Sequence, residues 1–223
     1  MLKTIKLFIM LLLSAATCGV ANAAVTVDQY GDSTTVGLVW NGTGFIFSVP
    51  TSPDQLSLDL KSRFGAANIT VRNLGVGSTC AKDLLYGGSG FASKMASSTA
   101  QIVTFNYGTN DGWYCNQTTA QYADQMDQLV KIAKAAGKIP VLLEPTPTIN
   151  RNNPNLYSYV VVLSQVAINN KVAIVQHYRL WQAGGVWKMW LSDDTHLTQA
   201  GYMLKGDTEF QVLSPIVQGL LTN

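Results

Sequence analysis

Two periodicities of apolar and polar residues alternate along the chain from residue 24 onward. Short runs rich in β-branched and other apolar residues, bounded by glycine, asparagine or proline, predict strands. These runs occupy residues 25–30, 69–74, 102–107, 140–144 and 172–176. Between them, apolar residues recur every three or four positions and predict helices at residues 52–64, 119–136 and 155–169. A last helix is expected after His196, with a break near Pro215.

Strands that alternate with helices in this way predict a parallel sheet with helices on both faces. We therefore expect an α/β protein, a three-layer α/β/α sandwich whose sheet is mostly parallel. Residues 24–223 suffice for one domain with a sizeable core, and no linker or internal repeat suggests a second. In such a sheet the functional site is expected at the carboxyl ends of the strands.

The first 23 residues have a different pattern, which is that of a targeting segment. Two lysines precede an apolar run at residues 7–16, and small residues at 21–23 follow it. This order predicts a secretory signal that is cleaved before Ala24. An uncleaved anchor is the alternative, but the run is shorter than the roughly 20 residues that span a bilayer. We expect a secreted or periplasmic protein with no stable membrane anchor.

The charge of the chain changes the choice of partners once the signal is set aside. The full chain has 15 lysines and arginines against 13 acidic residues, and two of those lysines lie in the signal. The remaining chain is formally neutral and contains no basic cluster that would bind phosphates. Nucleic acid is therefore not an expected partner, and no cofactor or metal is expected.

Four polar segments that contain glycine or paired aspartates follow predicted strands or precede the last helix. We refer to them as the first to fourth blocks. They are residues 31–34 (Gly-Asp-Ser-Thr), 73–79 (Asn-Leu-Gly-Val-Gly-Ser-Thr), 108–111 (Gly-Thr-Asn-Asp) and 193–196 (Asp-Asp-Thr-His). Each block alone consists of residue types that are common in turns. Their order and spacing together are far more specific.

Taken together, the blocks resemble those of the SGNH (GDSL-type) hydrolases. Within that family they are most similar to rhamnogalacturonan-acetylesterase-like carbohydrate esterases. The resemblance covers the chain from Tyr30 to about Tyr202, including the segments at residues 137–147 and 196–202. It implies a serine esterase without a cofactor. Thr34 stands where that family commonly has leucine. This difference does not change any of the catalytic groups.

The chemistry of ester cleavage assigns roles to residues of the first and fourth blocks. A serine hydroxyl needs a neighbouring base, and we expect His196 to activate Ser33. The family pattern Asp-x-x-His selects Asp193 to orient the imidazole, and Asp194 is the competing choice. His177, the other histidine, is expected to be structural.

The resemblance also implies three donors for the negative oxygen that forms during ester attack. They are the backbone N–H of Ser33, a backbone N–H of the second block, and the side-chain amide of Asn110. In the second block Thr79 comes one residue earlier than in the common pattern, so Gly77 or Ser78 could donate. We select Gly77 because glycine lets the backbone approach a ligand closely.

Cys80 and Cys115 remain after the signal, with its Cys18, is removed. An even number of cysteines in an exported protein favours a disulfide. Cys80 follows the second block and Cys115 the third, so the carboxyl edge of the sheet would bring them close enough to bond. Two buried free thiols are the alternative, and no acidic or histidine cluster indicates a metal.

Aromatic residues lie close to the blocks, and two interpretations of them stay open. They form a platform for a sugar ring or acyl chain, or they pack within the protein. The residues concerned are Trp40, Phe45, Phe47, Trp113 and Tyr114. Three tryptophans before the fourth block are expected to pack in the core or in loops, namely Trp181, Trp187 and Trp190.

The function predicted from the sequence is hydrolysis of small acyl esters, with acetyl groups on a polysaccharide as the leading substrate. One alternative is a lysophospholipase or thioesterase that acts on longer acyl chains. Another is a carbohydrate-binding accessory protein without turnover, and a third is an acyltransferase that uses the same residues.

Overall fold

The computed structural model describes residues 24–222, so the predicted signal lies outside the described residues. The strands are β1 (Val25–Gly31), β2 (Leu38–Trp40), β3 (Phe45–Phe47), β4 (Ile69–Gly75), β5 (Ile102–Asn106), β6 (Ile139–Leu143) and β7 (Ala173–Val175). The helices are α1 (Ser33–Val36), α2 (Ser52–Phe64), α3 (Ala81–Tyr86), α4 (Phe91–Ser97), α5 (Thr109–Gly112), α6 (Thr119–Ala135), α7 (Leu156–Asn170), α8 (His177–Gly184) and α9 (Gln199–Thr222). Short 3-10 turns span Ala66–Asn68 and Trp187–Trp190.

Five strands form one sheet in the order β4-β1-β5-β6-β7, and every neighbouring pair is parallel. The predicted parallel sheet is confirmed. The register aligns the carboxyl ends of the first three strands, because Gly31 lies opposite Gly75 on one side and Asn106 on the other. The loops that follow β1, β4 and β5 therefore leave the sheet at one edge.

Each face of the sheet has its own hydrophobic core. On one face, α3, α4, α6 and α7 cover a core that includes Phe105, Tyr122 and Leu129. On the other face, α2 and α9 cover a core that includes Leu60 and Val217. Helices on both faces of one sheet confirm the three-layer α/β/α sandwich.

The N-terminus of α2 shows why the chain forms a helix where the sequence predicted one. Thr51 accepts a hydrogen bond from the backbone N–H of Asp54, and the Asp54 carboxylate accepts one from the backbone N–H of Thr51. This reciprocal pair satisfies donors that the first turn of a helix leaves without partners. The helix ends at Phe64 before Gly65, as predicted.

The predicted break in the last helix is wrong, because α9 continues through Pro215 to Thr222. Proline removes one backbone donor from a helix and crowds the preceding turn. Here the apolar side chains on both sides of it, Leu213 and Val217, are fully buried against the sheet. Tertiary packing therefore holds the helix in one piece across the proline. No helix within residues 24–222 is long and apolar enough to cross a membrane.

A two-stranded antiparallel hairpin, β2–β3, lies outside the main sheet and follows the first block. No strand was predicted for this stretch. Its turn is held by the side chain of Asn41, whose oxygen accepts hydrogen bonds from the backbone N–H groups of Thr43 and Gly44. The Asn41-Gly42 pair between two apolar runs is a typical hairpin signal that could have predicted it.

Candidate active site

The first block forms a tight turn from β1 into α1. Asp32 caps this short helix, and its Oδ1 accepts hydrogen bonds from the backbone N–H and the hydroxyl of Thr34, both at 2.8 Å. Burial raises the pKa of Asp32, against the lowering effect of those two hydrogen bonds. Gly31 has no room for a side chain, since a Cβ there would lie 2.1 Å from Thr35 Oγ1. The turn places Ser33 at the start of α1.

The fourth block meets the first block through a chain of two hydrogen bonds. Ser33 Oγ lies 2.9 Å from His196 Nε2, and His196 Nδ1 lies 2.8 Å from Asp193 Oδ2. Asp193 Oδ1 accepts hydrogen bonds from the backbone N–H groups of Thr195 and His196. Asp194, the alternative candidate for this role, accepts a hydrogen bond from the hydroxyl of Thr195 instead. The structure thus brings Ser33, His196 and Asp193 together in the arrangement that a nucleophile, a base and an orienting carboxylate require.

The environment of Asp193 favours its charged form. Burial by itself raises the pKa of this carboxyl, but hydrogen bonds from the imidazole of His196 and from two backbone N–H groups outweigh burial. The net effect holds the pKa of Asp193 below its ordinary value. A carboxylate that stays ionised can stabilise an imidazolium next to it.

The second and third blocks lie beside the nucleophile. The backbone N–H of Val76 donates to the carbonyl of Gly31 at 2.8 Å, which ties the second block to the end of β1, two residues before Ser33. Asn110 Nδ2 donates to the carbonyl of Thr79 at 3.0 Å, which joins the third block to the second. An amide nitrogen has two N–H groups, so this contact leaves Asn110 a second donor.

The choice between Gly77 and Ser78 depends on the tip of the second block. Both residues are exposed, and a Cβ built at Gly77 would come no closer than 3.9 Å, to Leu38 Cδ1. Packing within the protein therefore does not require glycine at this position. Ser78 is the residue with the left-handed backbone, at φ +62°. The only remaining reason to prefer Gly77 is that glycine lets a ligand approach the backbone closely.

Asp111 is a supporting residue whose role was not predicted from the sequence. Its two oxygens accept hydrogen bonds from the backbone N–H groups of Ala81 and Gly108, at 2.9 and 2.8 Å. Burial raises the pKa of Asp111 to about 7, although these hydrogen bonds lower it. Asp111 therefore fixes the third block, with Asn110, against the start of α3.

A disulfide joins the same two loops at a second place. Cys80 and Cys115 form the disulfide that the sequence predicted, and their Cα atoms are 6.6 Å apart. Cys80 is fully buried at the start of α3, and the backbone N–H of Cys115 donates to the carbonyl of Asn110. The loop that carries Asn110 is thus held covalently as well as by hydrogen bonds.

Two buried asparagines in the loop after β6 were also missed from the sequence. Asn153 Nδ2 donates to the carbonyl of Thr109 at 2.8 Å, and Asn150 Nδ2 donates to Thr195 Oγ1 at 3.3 Å. The loop therefore contacts both the third and the fourth blocks. The signal that could have found them is the cluster of asparagines directly after a predicted strand at the carboxyl edge of the sheet.

His177 lies in the core, as predicted for a structural histidine. It is fully buried at the start of α8, and its Nε2 lies 3.5 Å from Glu209 Oε1. Burial lowers the pKa of His177, so its neutral form is favoured. Trp181 and Trp187 are also buried, in a small cluster with Leu197 and Tyr202, which confirms their predicted packing role.

The aromatic residues after the first block differ from those tryptophans because they remain exposed. Phe45 packs edge-on against the ring of His196, with ring centroids 4.8 Å apart. Trp40 in turn packs edge-on against Phe45 at 5.3 Å. The hairpin therefore borders the candidate catalytic histidine.

A family model described as GDSL-like lipase/acylhydrolase matches residues 30–204. The chain belongs to this family. The matched range contains all four blocks, from Ser33 to His196. As a member of the GDSL-like lipase/acylhydrolase family, the protein is a carboxylic ester hydrolase.

Solved structures share the fold with this GDSL-like hydrolase at low sequence identity. A lipase/acylhydrolase from Enterococcus faecalis is 17% identical with a TM-score of 0.71, covering 86% of this chain and 96% of its own. An acetylxylan esterase from Geobacillus stearothermophilus is 17% identical with a TM-score of 0.68, covering 85% and 94%. An aryl esterase from M. smegmatis is 18% identical with a TM-score of 0.66, covering 89% and 100%. A search of curated protein sequences finds no significant match to this chain.

Proposed function

We propose that the protein is a serine esterase that removes small acyl groups, with acetyl as the leading candidate, through Ser33, His196 and Asp193. The observation that carries this proposal is the continuous path of hydrogen bonds from Ser33 Oγ through the imidazole to Asp193. His196 Nε2 takes the hydroxyl proton as Ser33 Oγ bonds to the ester carbonyl carbon. Asp193 orients the ring and stabilises the imidazolium.

The second half of the reaction uses the same residues in reverse. The tetrahedral intermediate collapses when the bond to the alcohol oxygen breaks, and His196 Nε2 gives its proton to that oxygen. Water then attacks the acyl carbon as His196 Nε2 takes a proton from it. The bond between that carbon and Ser33 Oγ breaks as His196 returns the proton to Oγ, which releases the carboxylic acid. The atoms balance without a cofactor.

The negative oxygen of the intermediate needs donors that are fixed before the reaction. We assign this role to the backbone N–H groups of Ser33 and Gly77 and to the side-chain amide of Asn110. Three contacts support the assignment of Asn110, because Asp111 through Ala81, the disulfide and Asn153 all hold its loop in place. Donors on a rigid loop need no reorganisation as charge develops.

We propose an acetyl ester of a polysaccharide as the leading substrate class. One structural neighbour is an acetylxylan esterase, and another is an aryl esterase. We propose the same reaction type here. A series of p-nitrophenyl esters from acetate to palmitate separates this activity from that of a lysophospholipase or thioesterase, because activity should be highest with acetate and fall as the chain lengthens.

We also propose that the protein acts outside the cytoplasm, secreted or in the periplasm. The disulfide between Cys80 and Cys115 supports this location, since disulfides persist in oxidising compartments. The signal pattern of the first 23 residues supports it independently. The N-terminal sequence of the protein recovered from its native cells should begin at Ala24.

The experiment that tests the proposed function compares the wild type with Ser33→Ala on p-nitrophenyl acetate. The wild type should hydrolyse the ester, and the variant should lose activity to the level of the uncatalysed reaction. The circular dichroism spectra of both proteins should be the same. Full retention of activity by Ser33→Ala would overturn the assignment.

A further inference from the structure

The β2–β3 hairpin has two different faces. Because side chains alternate along a strand and Trp40 pairs with Phe45, four apolar residues share one face. This aromatic face consists of Leu38, Trp40, Phe45 and Phe47. On the other face, Val39 packs against the cluster around Trp181 and Leu197, so it is turned toward the body of the protein.

The aromatic face is open to solvent. Trp40, Phe45 and Phe47 are 37%, 52% and 66% exposed, so none of the three rings is used to fill the core. The main sheet and its two cores lie elsewhere, and Val39 on the opposite face packs against the small cluster around Trp181. Three exposed rings on one short hairpin leave a large apolar surface available to a ligand.

This face extends along the candidate catalytic site. At one end, Phe45 contacts the ring of His196 at 4.8 Å between centroids. At the other end, Leu38 lies next to Gly77. The hairpin is tied to the fourth block, since the backbone N–H of Trp40 donates to Ser192 Oγ at 3.0 Å and the backbone N–H of Ser192 donates to the His196 carbonyl at 2.8 Å. Hairpin and histidine therefore keep a fixed relative position.

The chemistry of the reaction decides which half of an ester meets the aromatic face. His196 must give its proton to the oxygen of the departing alcohol, so the alcohol lies on the imidazole side of the reacting carbon. The carbonyl oxygen of the ester points instead to the proposed donors of the second and third blocks. Phe45, next to the imidazole, is therefore placed to contact the alcohol.

The hairpin and its flanks also limit the charge of that alcohol. Residues 33–53 contain no lysine, arginine, aspartate or glutamate. The hairpin itself therefore offers no ionic partner to a charged alcohol. An exposed aromatic ring binds well to another flat apolar face, either an aryl ring or the C–H face of a sugar.

We propose that the aromatic face, with Phe45 at its centre, selects esters whose alcohol is an uncharged ring. The proposal rests on the proposed function and specifies its substrate class from the alcohol half. Sugar and aryl alcohols offer the same flat apolar surface, and the test separates the two sources. Phe45 acts here as a specificity-determining residue.

The test compares three acetates that differ only in the alcohol, which are a monoacetylated methyl xyloside, phenyl acetate and ethyl acetate. The quantity is kcat/KM, which reports the step in which the alcohol leaves. Phe45→Ala should lower it for one or both ring acetates roughly tenfold more than for ethyl acetate. The ring acetate with the larger loss identifies the source. Phe45→Tyr, which keeps a ring, should retain the wild-type preference.

Ile46→Ala is the matched control, because it shortens an apolar residue on the opposite face of the same strand. It should leave the ratio of ring to ethyl acetate unchanged. An equal loss on all three acetates in Phe45→Ala would mean that Phe45 only positions His196, and it would overturn the proposal, as would no loss on any of them. A wild type inactive on every acetate would instead contradict the proposed function itself.

Discussion

At the scale of single residues, Asp193 uses its two carboxylate oxygens for different tasks. One oxygen holds the imidazole of His196, and the other holds the backbone N–H groups of Thr195 and His196. The same side chain thus orients the ring and shapes the loop that carries it. Asp194 follows directly in the sequence but contacts neither nitrogen of the imidazole.

Asp193→Asn should lower kcat on p-nitrophenyl acetate by several orders of magnitude, on the order of 10⁴-fold. The amide cannot stabilise the imidazolium, and it favours the wrong tautomer of His196. Steady-state kinetics provide the measurement, and Asp194→Asn is the matched control that should keep most of the activity. If the two variants lose activity equally, Asp193 has no special role.

Asn110→Asp keeps the shape of the side chain and replaces its two N–H donors by oxygen. The proposed role in holding the negative oxygen predicts a loss of about 100- to 1000-fold in kcat, because the donor acts mainly in the transition state. KM should change much less. A variant that raises KM alone would show that Asn110 binds substrate without stabilising the intermediate.

The sequence predicted the residues whose role follows from their own chemistry, and it left open those whose role depends on backbone direction. Ser33, His196 and Asp193 were predicted, and the structure brings them together. Gly77 and Ser78 could not be separated, since the direction of a backbone N–H depends on the loop conformation. Asp111 was missed because its partners are backbone groups, one of them in the distant Ala81.

At the scale of elements, the disulfide ties the end of the second block to the segment after the third. It connects residues 35 apart in sequence, and closing a loop of that length stabilises the folded state by about 3–4 kcal/mol in the chain-entropy model. The double variant Cys80→Ser/Cys115→Ser should therefore lower the free energy of unfolding by about that amount.

Urea denaturation measures this loss, with reduction of the wild type as a second route to the same state. Both should shift the midpoint in the same direction, and reduction should have no effect on the double variant. A double variant as stable as the oxidised wild type would contradict a structural role for the disulfide.

Long elements were predictable and short ones were not. The helix α6 has an apolar stripe repeated over four turns, whereas α1 and α5 are four residues long and have no period to detect. Their conformation is set by caps such as Asp32 and by contacts with other blocks. The continuity of α9 through Pro215 was mispredicted because burial of the flanking side chains outweighs the local preference of proline.

At the scale of the whole molecule, the parallel sheet collects segments that are distant in sequence at one edge. Ser33 and His196 are 163 residues apart and within hydrogen-bond distance. The rule that sites lie at the carboxyl ends of parallel strands made this meeting predictable. The exact distances were not, because they depend on the loop after β6, which contacts the third and fourth blocks through Asn153 and Asn150.

A buried ionic cluster joins α9 to the sheet and to the start of α2. Lys205 Nζ lies 3.2 Å from Glu209 Oε1 and 3.1 Å from Ser52 Oγ, and Gln29 donates to Glu209 Oε2 at 2.7 Å. Burial by itself raises the pKa of Glu209, but Lys205 and hydrogen bonds hold it at about 2. Glu209 is thus a buried, paired charge.

Lys205→Met should lower the free energy of unfolding by about 3–5 kcal/mol, because it leaves the Glu209 carboxylate buried without the positive charge that balances it. Chemical denaturation provides the measurement. Adding Glu209→Leu should restore much of the loss, since the second change removes the isolated charge. Lys131→Met, at an exposed ion pair, is the control and should have little effect. Equal effects of the two lysine variants would contradict this account of the cluster.

The central claim is that Ser33 is the nucleophile and that His196 activates it. Labelling with a fluorophosphonate probe, followed by peptide mass spectrometry, tests it most directly, since the probe bonds to an activated serine. One adduct should form on the peptide that contains Ser33, be absent in Ser33→Ala and form far more slowly in His196→Ala. An adduct on another residue, or equal labelling of Ser33→Ala, would contradict the claim.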